Sequence, residues 1–147
     1  MNRINNAVNN FEKGYNCSQA VFLAYANKYG LSEDIALKMA SSFGGGMGRL
    51  REVCGAVTAM FAIAGLEKGY IEYDNDDIKA EHYQFIQLLA EKFKEEHGSL
   101  ICRELLGLEK GKISSTPTKR TEEFYKTRPC ADFIKTASNI IEEYILK

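Results

Sequence analysis

The chain has 147 residues, long enough for one domain to bury a core without disulfide or metal staples. Charged residues make up 27% and hydrophobic ones 45%, with a formal net charge of −1. That balance excludes a general polyelectrolyte attraction to nucleic acid or to an anionic membrane, and a small or neutral partner fits it better.

The first six residues, Met1 to Asn6, contain no apolar core of the kind a secretory signal needs, so the cytoplasm is the expected compartment. Thiols there are held reduced, and four cysteines then read as catalytic, redox-sensing or metal-binding rather than as a permanent disulfide framework. The most apolar window, Val53 to Leu66, covers 14 residues. A membrane span needs roughly 20, so no membrane insertion is expected and the window reads as a buried helix.

Taken in chain order, Ile4, Ala7, Val8 and Phe11 share one helical face, and Gly14 closes that helix. Asn16 caps a second helix with Cys17 at its first position and Gly30 as its stop. Ser32, followed by Glu33 and Asp34, starts a third. It ends at Gly44-Gly45-Gly46-Met47-Gly48, because glycine costs about 1 kcal/mol per residue relative to alanine in a helix. A helix from Glu52 or Val53 to Glu67 is apolar nearly all round and belongs at the centre of a bundle.

The clearest amphipathic stripe is Ile78, His82, Phe85, Ile86, Leu89 and Phe93, ended by Gly98. Ser99 then caps a short helix with Cys102, Leu105 and Leu106, terminated by Gly107. Leu108 to Arg128 reads as an irregular, solvated connection, with a binding edge or a lid over the site as the sharper alternative. Between Lys110 and Arg128 six basic residues oppose two glutamates. Pro129 introduces Cys130 and the stripe Phe133, Ile134, Ala137, Ile140, Ile141, Tyr144, Ile145. Strand signals are nearly absent. The expected fold is all-α: one compact domain over 1–147, a bundle of six or seven helices around a central apolar helix near 53–67.

All four cysteines, Cys17, Cys54, Cys102 and Cys130, fall where a helix starts. Unpaired N–H groups and the positive end of the helix dipole bias a thiol there toward the thiolate. Cys54 follows the glycine loop, so Gly44, Gly45, Gly46, Gly48 and Arg49 are candidates for an anion nest beside its sulfur. Arg51 adds positive charge and Glu52 opposes it.

The run Phe43-Gly-Gly-Gly-Met-Gly-Arg-Leu-Arg-Glu-Val-Cys-Gly-Ala-Val-Thr-Ala, with Gly14-Tyr-Asn-Cys-Ser-Gln-Ala before it and Cys102-Arg-Glu-Leu-Leu-Gly and Cys130 after it, resembles the C-GCAxxG-C-C family of redox proteins. The resemblance implies that the four cysteines are the family's signature thiols, that Cys54-Gly55-Ala56 is the heart of its motif, and that redox activity is the function. It also implies a partner linked to transport, since members are often associated with transporter genes. Ala59 stands where the motif ends in glycine.

For thiol–disulfide exchange the expected attacker is Cys54 and the expected resolver Cys17, with Cys102 and Cys130 as a second pair, although four cysteines allow three connectivities. No cofactor is required in that reading. The alternative is a zinc or iron–sulfur module with the same four sulfurs as ligands. Their separations of 37, 48 and 28 positions contain no CxxC pair to signal it. The glycines do not give GxGxxG or a P-loop. His82 is expected to be a hydrogen-bonded core histidine, His97 to complement a helix C-terminus, and Asp74, Asp76 and Asp77 to cap and solvate rather than bind calcium.

Overall fold

The computed structural model describes residues 2–108 and 113–147. Eight α-helices follow one another: α1 (Arg3–Lys13), α2 (Cys17–Ala26), α3 (Glu33–Ser41), α4 (Gly55–Lys68), α5 (Asp76–His97), α6 (Cys102–Leu105), α7 (Glu122–Thr127) and α8 (Cys130–Ile140). A 3-10 turn (Asn27–Tyr29) extends α2, and a π-type turn (Ile141–Ile145) extends α8. The architecture is all-α, with six helices of nine residues or more and two short ones among the described residues.

Local chemistry accounts for most of the boundaries. The Asn16 side chain accepts the Gln19 N–H, and the Gln19 side chain accepts the Asn16 N–H, closing a capping box that sets Cys17 as the first helical residue of α2. Ser32 caps α3 by accepting the Ile35 N–H, and Asn75 caps α5 through Ile78. Gly14 and Gly98 end α1 and α5 in the left-handed conformation.

The centre of the bundle is shared. α2 packs against α1, α3, α4 and α8 and buries Ala20, Val21, Phe22 and Tyr25, while α4 buries Ala56, Val57, Met60 and Ile63. Helix α4 is not enclosed all round as expected: Ala62, Gly65 and Leu66 form a solvent stripe. The stripe on α5 is also covered only in part. Leu89 and Phe93 are buried, whereas Ile78, His82, Phe85 and Ile86 are half-buried because few elements reach the first half of this long helix. His82 lies edge-on to Tyr70 at 5.8 Å rather than in the core. His97 hydrogen-bonds Thr136 Oγ1 at 2.8 Å and sits between the rings of Phe93 and Phe133, joining α5 to α8.

The connection after α6 departs most from expectation. Lys110 and Gly111 lie outside the described residues, but 113–128 is not merely a solvated connection, since it contains α7 and crosses one end of the bundle. Thr121 accepts the Phe124 N–H, and Glu122 and Glu123 occupy the first turn of α7. Arg120 fixes the crossing: its guanidinium donates to the carbonyls of Phe11 and Tyr15, each at 3.0 Å, and lies 4.4 Å above the Phe11 ring. Arg120→Met keeps the stem and removes these charge-assisted bonds, worth about 1.5–3 kcal/mol each. We expect faster hydrogen exchange across 122–127 and faster alkylation of Cys130 in that variant, read by mass spectrometry, with the bundle core unchanged.

Candidate active site

Each cysteine sits at a helix start, as expected: Cys17, Cys102 and Cys130 are the first residues of α2, α6 and α8, and Cys54 is the N-cap of α4. The fold converges these starts. All four cysteines line a single cavity of about 120 Å³, roofed by Pro117, Thr118, Arg120 and Phe124 of the crossing segment. All four are free thiols.

Cys54 and Cys102 are brought together by backbone pairing that no sequence pattern announces. Val53 and Ile101 form an isolated antiparallel bridge, flanked by Cys54 N–H to the Leu100 carbonyl at 2.8 Å and Cys102 N–H to the Glu52 carbonyl at 2.6 Å. Alternation along extended chain turns residues 54 and 102 to the face opposite Val53 and Ile101. Ser99, expected to cap α6, instead accepts the Ile101 N–H and donates to Glu104, bracing this bridge.

Cys17 reaches the same place because Gly55 has no side chain. A Cβ on Gly55 would fall 2.6 Å from Cys17 Sγ and 2.8 Å from the Phe43 carbonyl oxygen. The half-buried Cys17 sulfur accepts from the Cys54 thiol and from the backbone N–H groups of Gly45, Gly55 and Ser18. These donors outweigh burial and lower its pKa to about 6. Cys54 moves the opposite way. Its proton is held by the Cys17 sulfur, burial and the Cys17 charge add to the rise, and the N–H groups of Val57 and Ala56 only partly oppose it. These directions favour the charge on Cys17, where the sequence alone points to Cys54. Cys130 is pushed up to about 12, chiefly by burial, with Cys17 adding to the rise and Arg128 opposing it. Cys102 receives Arg51 Nη1 at 3.5 Å.

The glycine loop works differently from the expected nest. Gly45, Gly46, Met47, Gly48, Arg49 and Arg51 all have positive φ, from 57° to 72°. The three non-glycine residues carry a cost of about 1–2 kcal/mol each. The turn is held by Arg51 N–H to the Gly45 carbonyl and Glu52 N–H to the Gly46 carbonyl, at 3.2 and 2.9 Å. Of the five candidate nest residues, Gly45 and Arg49 line the cavity, and the Gly45 N–H serves Cys17. Gly44 packs on the Asn16 side chain, Gly46 on Cys102 Cβ, and Gly48 has only the Ser42 carbonyl oxygen near it. Arg49 ties the roof down, donating to the Ser114 carbonyl at 2.9 Å and to Thr118 Oγ1 at 3.1 Å. Arg120, Phe124 and Arg128 also line the cavity with no motif in the sequence to mark them, and the basic excess of their segment is the one signal the sequence carries.

Among the described residues no group of three His, Cys, Asp or Glu side chains is placed to hold a metal ion.

This cysteine pattern is that of a known family. The family model described as putative redox-active protein, with the signature C_GCAxxG_C_C, matches residues 15–144. The chain belongs to this family. Comparison with curated proteins and with solved structures gave no significant match. Ala59, the departure from the C-GCAxxG-C-C motif, is buried beside a small cleft lined by Ser18, Phe22, Met39 and Ala40, so the extra methyl is accommodated between α2, α3 and α4. Among the described residues no helix is long and apolar enough to cross a membrane.

Proposed function

We propose that this protein is a thiol–disulfide redox protein in which Cys17 attacks and Cys54 resolves. The observation that carries the reading is the convergence of three backbone N–H groups and the Cys54 thiol on one half-buried sulfur at the cavity wall.

The Cys17 thiolate attacks one sulfur of a substrate disulfide, and the breaking S–S bond sends its electron pair out on the departing thiolate. Cys17 is then a neutral mixed disulfide, so the charge that held the Cys54 proton is gone. The departing thiolate takes that proton. Cys54 sulfur attacks Cys17 Sγ and expels the second substrate thiolate, leaving a Cys17–Cys54 disulfide and two electrons on the substrate. An external dithiol reverses the sequence and resets the protein. Cys102 and Cys130, on the same cavity, form the second dithiol of this proposal and hold two further electrons.

Site-resolved alkylation by iodoacetamide between pH 4.5 and 9.5 tests the assignment. Cys17 should react with a midpoint near 6, and Cys130 should stay nearly inert throughout. At pH 7 a thiol with that midpoint is about 90% ionised, against about 3% for an ordinary one. A Cys17 midpoint near 8.5 would remove the attacker.

A further inference from the structure

The cavity wall carries four guanidinium groups, those of Arg49, Arg51, Arg120 and Arg128, and no Asp or Glu among the described residues lines it. On a chain of net charge −1, this is local concentration rather than general basicity. The two ion pairs among the described residues, Lys28–Glu67 and Lys92–Glu95, use none of these arginines. Arg49 and Arg120 donate to neutral oxygens of the roof and of α1, which orient them without cancelling their charge. Arg51 donates to the Cys102 sulfur, and Arg128 lies 5.4 Å from the Phe124 ring centre. The arginines sense one another: burial first, and then the charges of Arg51 and Arg128, hold Arg49 below its ordinary pKa. One Cys17 thiolate offsets one of the four charges.

We propose that the substrate is a compact, negatively charged disulfide, one bearing its own carboxylates or sulfonates, whose anionic groups are held by Arg51 and Arg128 while its S–S bond meets Cys17. This rests on the thiol–disulfide reading and adds the substrate class. The cavity of about 120 Å³ has room for about four waters at roughly 30 Å³ each, which suits the end of a small disulfide and is too little for a folded partner's polypeptide segment. Cys54 and Cys102 are only 5% and 8% exposed, which also favours a ligand that enters over a surface that docks.

The test uses three small disulfides of similar size and different charge: dithiodiglycolate (anionic), hydroxyethyl disulfide (neutral) and cystamine (cationic). Formation of the Cys17–Cys54 disulfide is followed by mass spectrometry, and each rate is divided by that reagent's rate with 2-mercaptoethanol. The normalised rate for the anionic compound should exceed the neutral one by about ten-fold at low salt, with the cationic one slowest. The preference should shrink toward unity at about 0.5 M salt. It should fall in Arg128→Gln and return in Arg128→Lys, and the wild-type salt series decides the matter even if the first variant folds poorly. Equal normalised rates would overturn the anionic substrate and leave the thiol chemistry standing. Failure of every disulfide to oxidise Cys17 would overturn the thiol chemistry instead. Charge selection would then be read from alkylation: an iodoacetate to iodoacetamide rate ratio above that of a free thiol supports it, and an equal ratio sinks it.

Discussion

Gly55→Ala is expected to lower the thermal unfolding midpoint by several degrees and to move the Cys17 ionisation from about 6 toward the ordinary thiol range. The added methyl would fall within 3.0 Å of Cys17 Sγ, the Phe43 carbonyl oxygen and the Ser18 nitrogen, two of which are backbone atoms that cannot swing aside. Overpacking of this kind costs about 1–3 kcal/mol, and in a chain of this size each kcal/mol is about 2–4 °C. To admit the methyl, Cys17 sulfur must retreat from the N–H groups of Gly45 and Gly55 that hold its charge. Gly65→Ala, on the same helix, is the control. Nothing lies within 4 Å of its position, and helix propensity should give it a gain of up to about 1 kcal/mol. Alkylation profiles and unfolding curves of both variants check the pair. An unchanged Cys17 midpoint in Gly55→Ala would mean that the α4 start does not support the thiolate.

The reason Gly55 rather than the loop glycines governs the site explains how far the sequence could be read. Caps are local, so Asn16, Ser32, Gly14 and Gly98 marked helix ends correctly, and the four cysteines fell at helix starts. Helix α7 carried the same kind of mark in Thr121-Glu122-Glu123, a cap followed by two anions like Ser32-Glu33-Asp34, but the polar composition around it read as connection. What local chemistry could not supply was the partner of each sulfur. Proximity in sequence put the glycine loop beside Cys54. In three dimensions the left-handed run from Gly45 to Arg49 turns the Gly45 N–H to Cys17, 28 positions earlier in the chain. The Val53–Ile101 bridge was equally invisible, because one residue pair has no periodicity to detect. Arg120 belongs with it: a lone arginine in a basic stretch gives no sign that it reaches back to Phe11 and Tyr15.

Replacing Cys17 should change how stability responds to pH, and the sign follows from the direction of each shift. The Cys17 pKa falls to about 6 in the folded protein, while an unfolded cysteine titrates near 8.5. Between those values the unfolded chain binds more protons, so stability rises with pH, is fully present above the unfolded value, and is lost as pH falls through 6. Cys130, raised to about 12, acts in reverse. Its buried neutral thiol favours folding below the unfolded value, and that contribution is lost as pH rises toward 12. Cys54, also raised, adds to the alkaline loss. The wild-type protein should therefore be most stable near pH 8.5, between the two limbs. In Cys17→Ser the acid limb disappears, because a serine hydroxyl does not titrate in this range, while the burial that raises Cys130 remains. The difference in unfolding midpoint between wild type and Cys17→Ser should grow by several degrees from pH 6 to 8.5, corresponding to a few kcal/mol at most, and then shrink at higher pH, because the Cys17-dependent part of the Cys54 rise is lost only from the wild type. Taking the difference cancels every titration that the substitution leaves untouched. A difference that stays flat across this range would show that Cys17 carries its proton in the folded state.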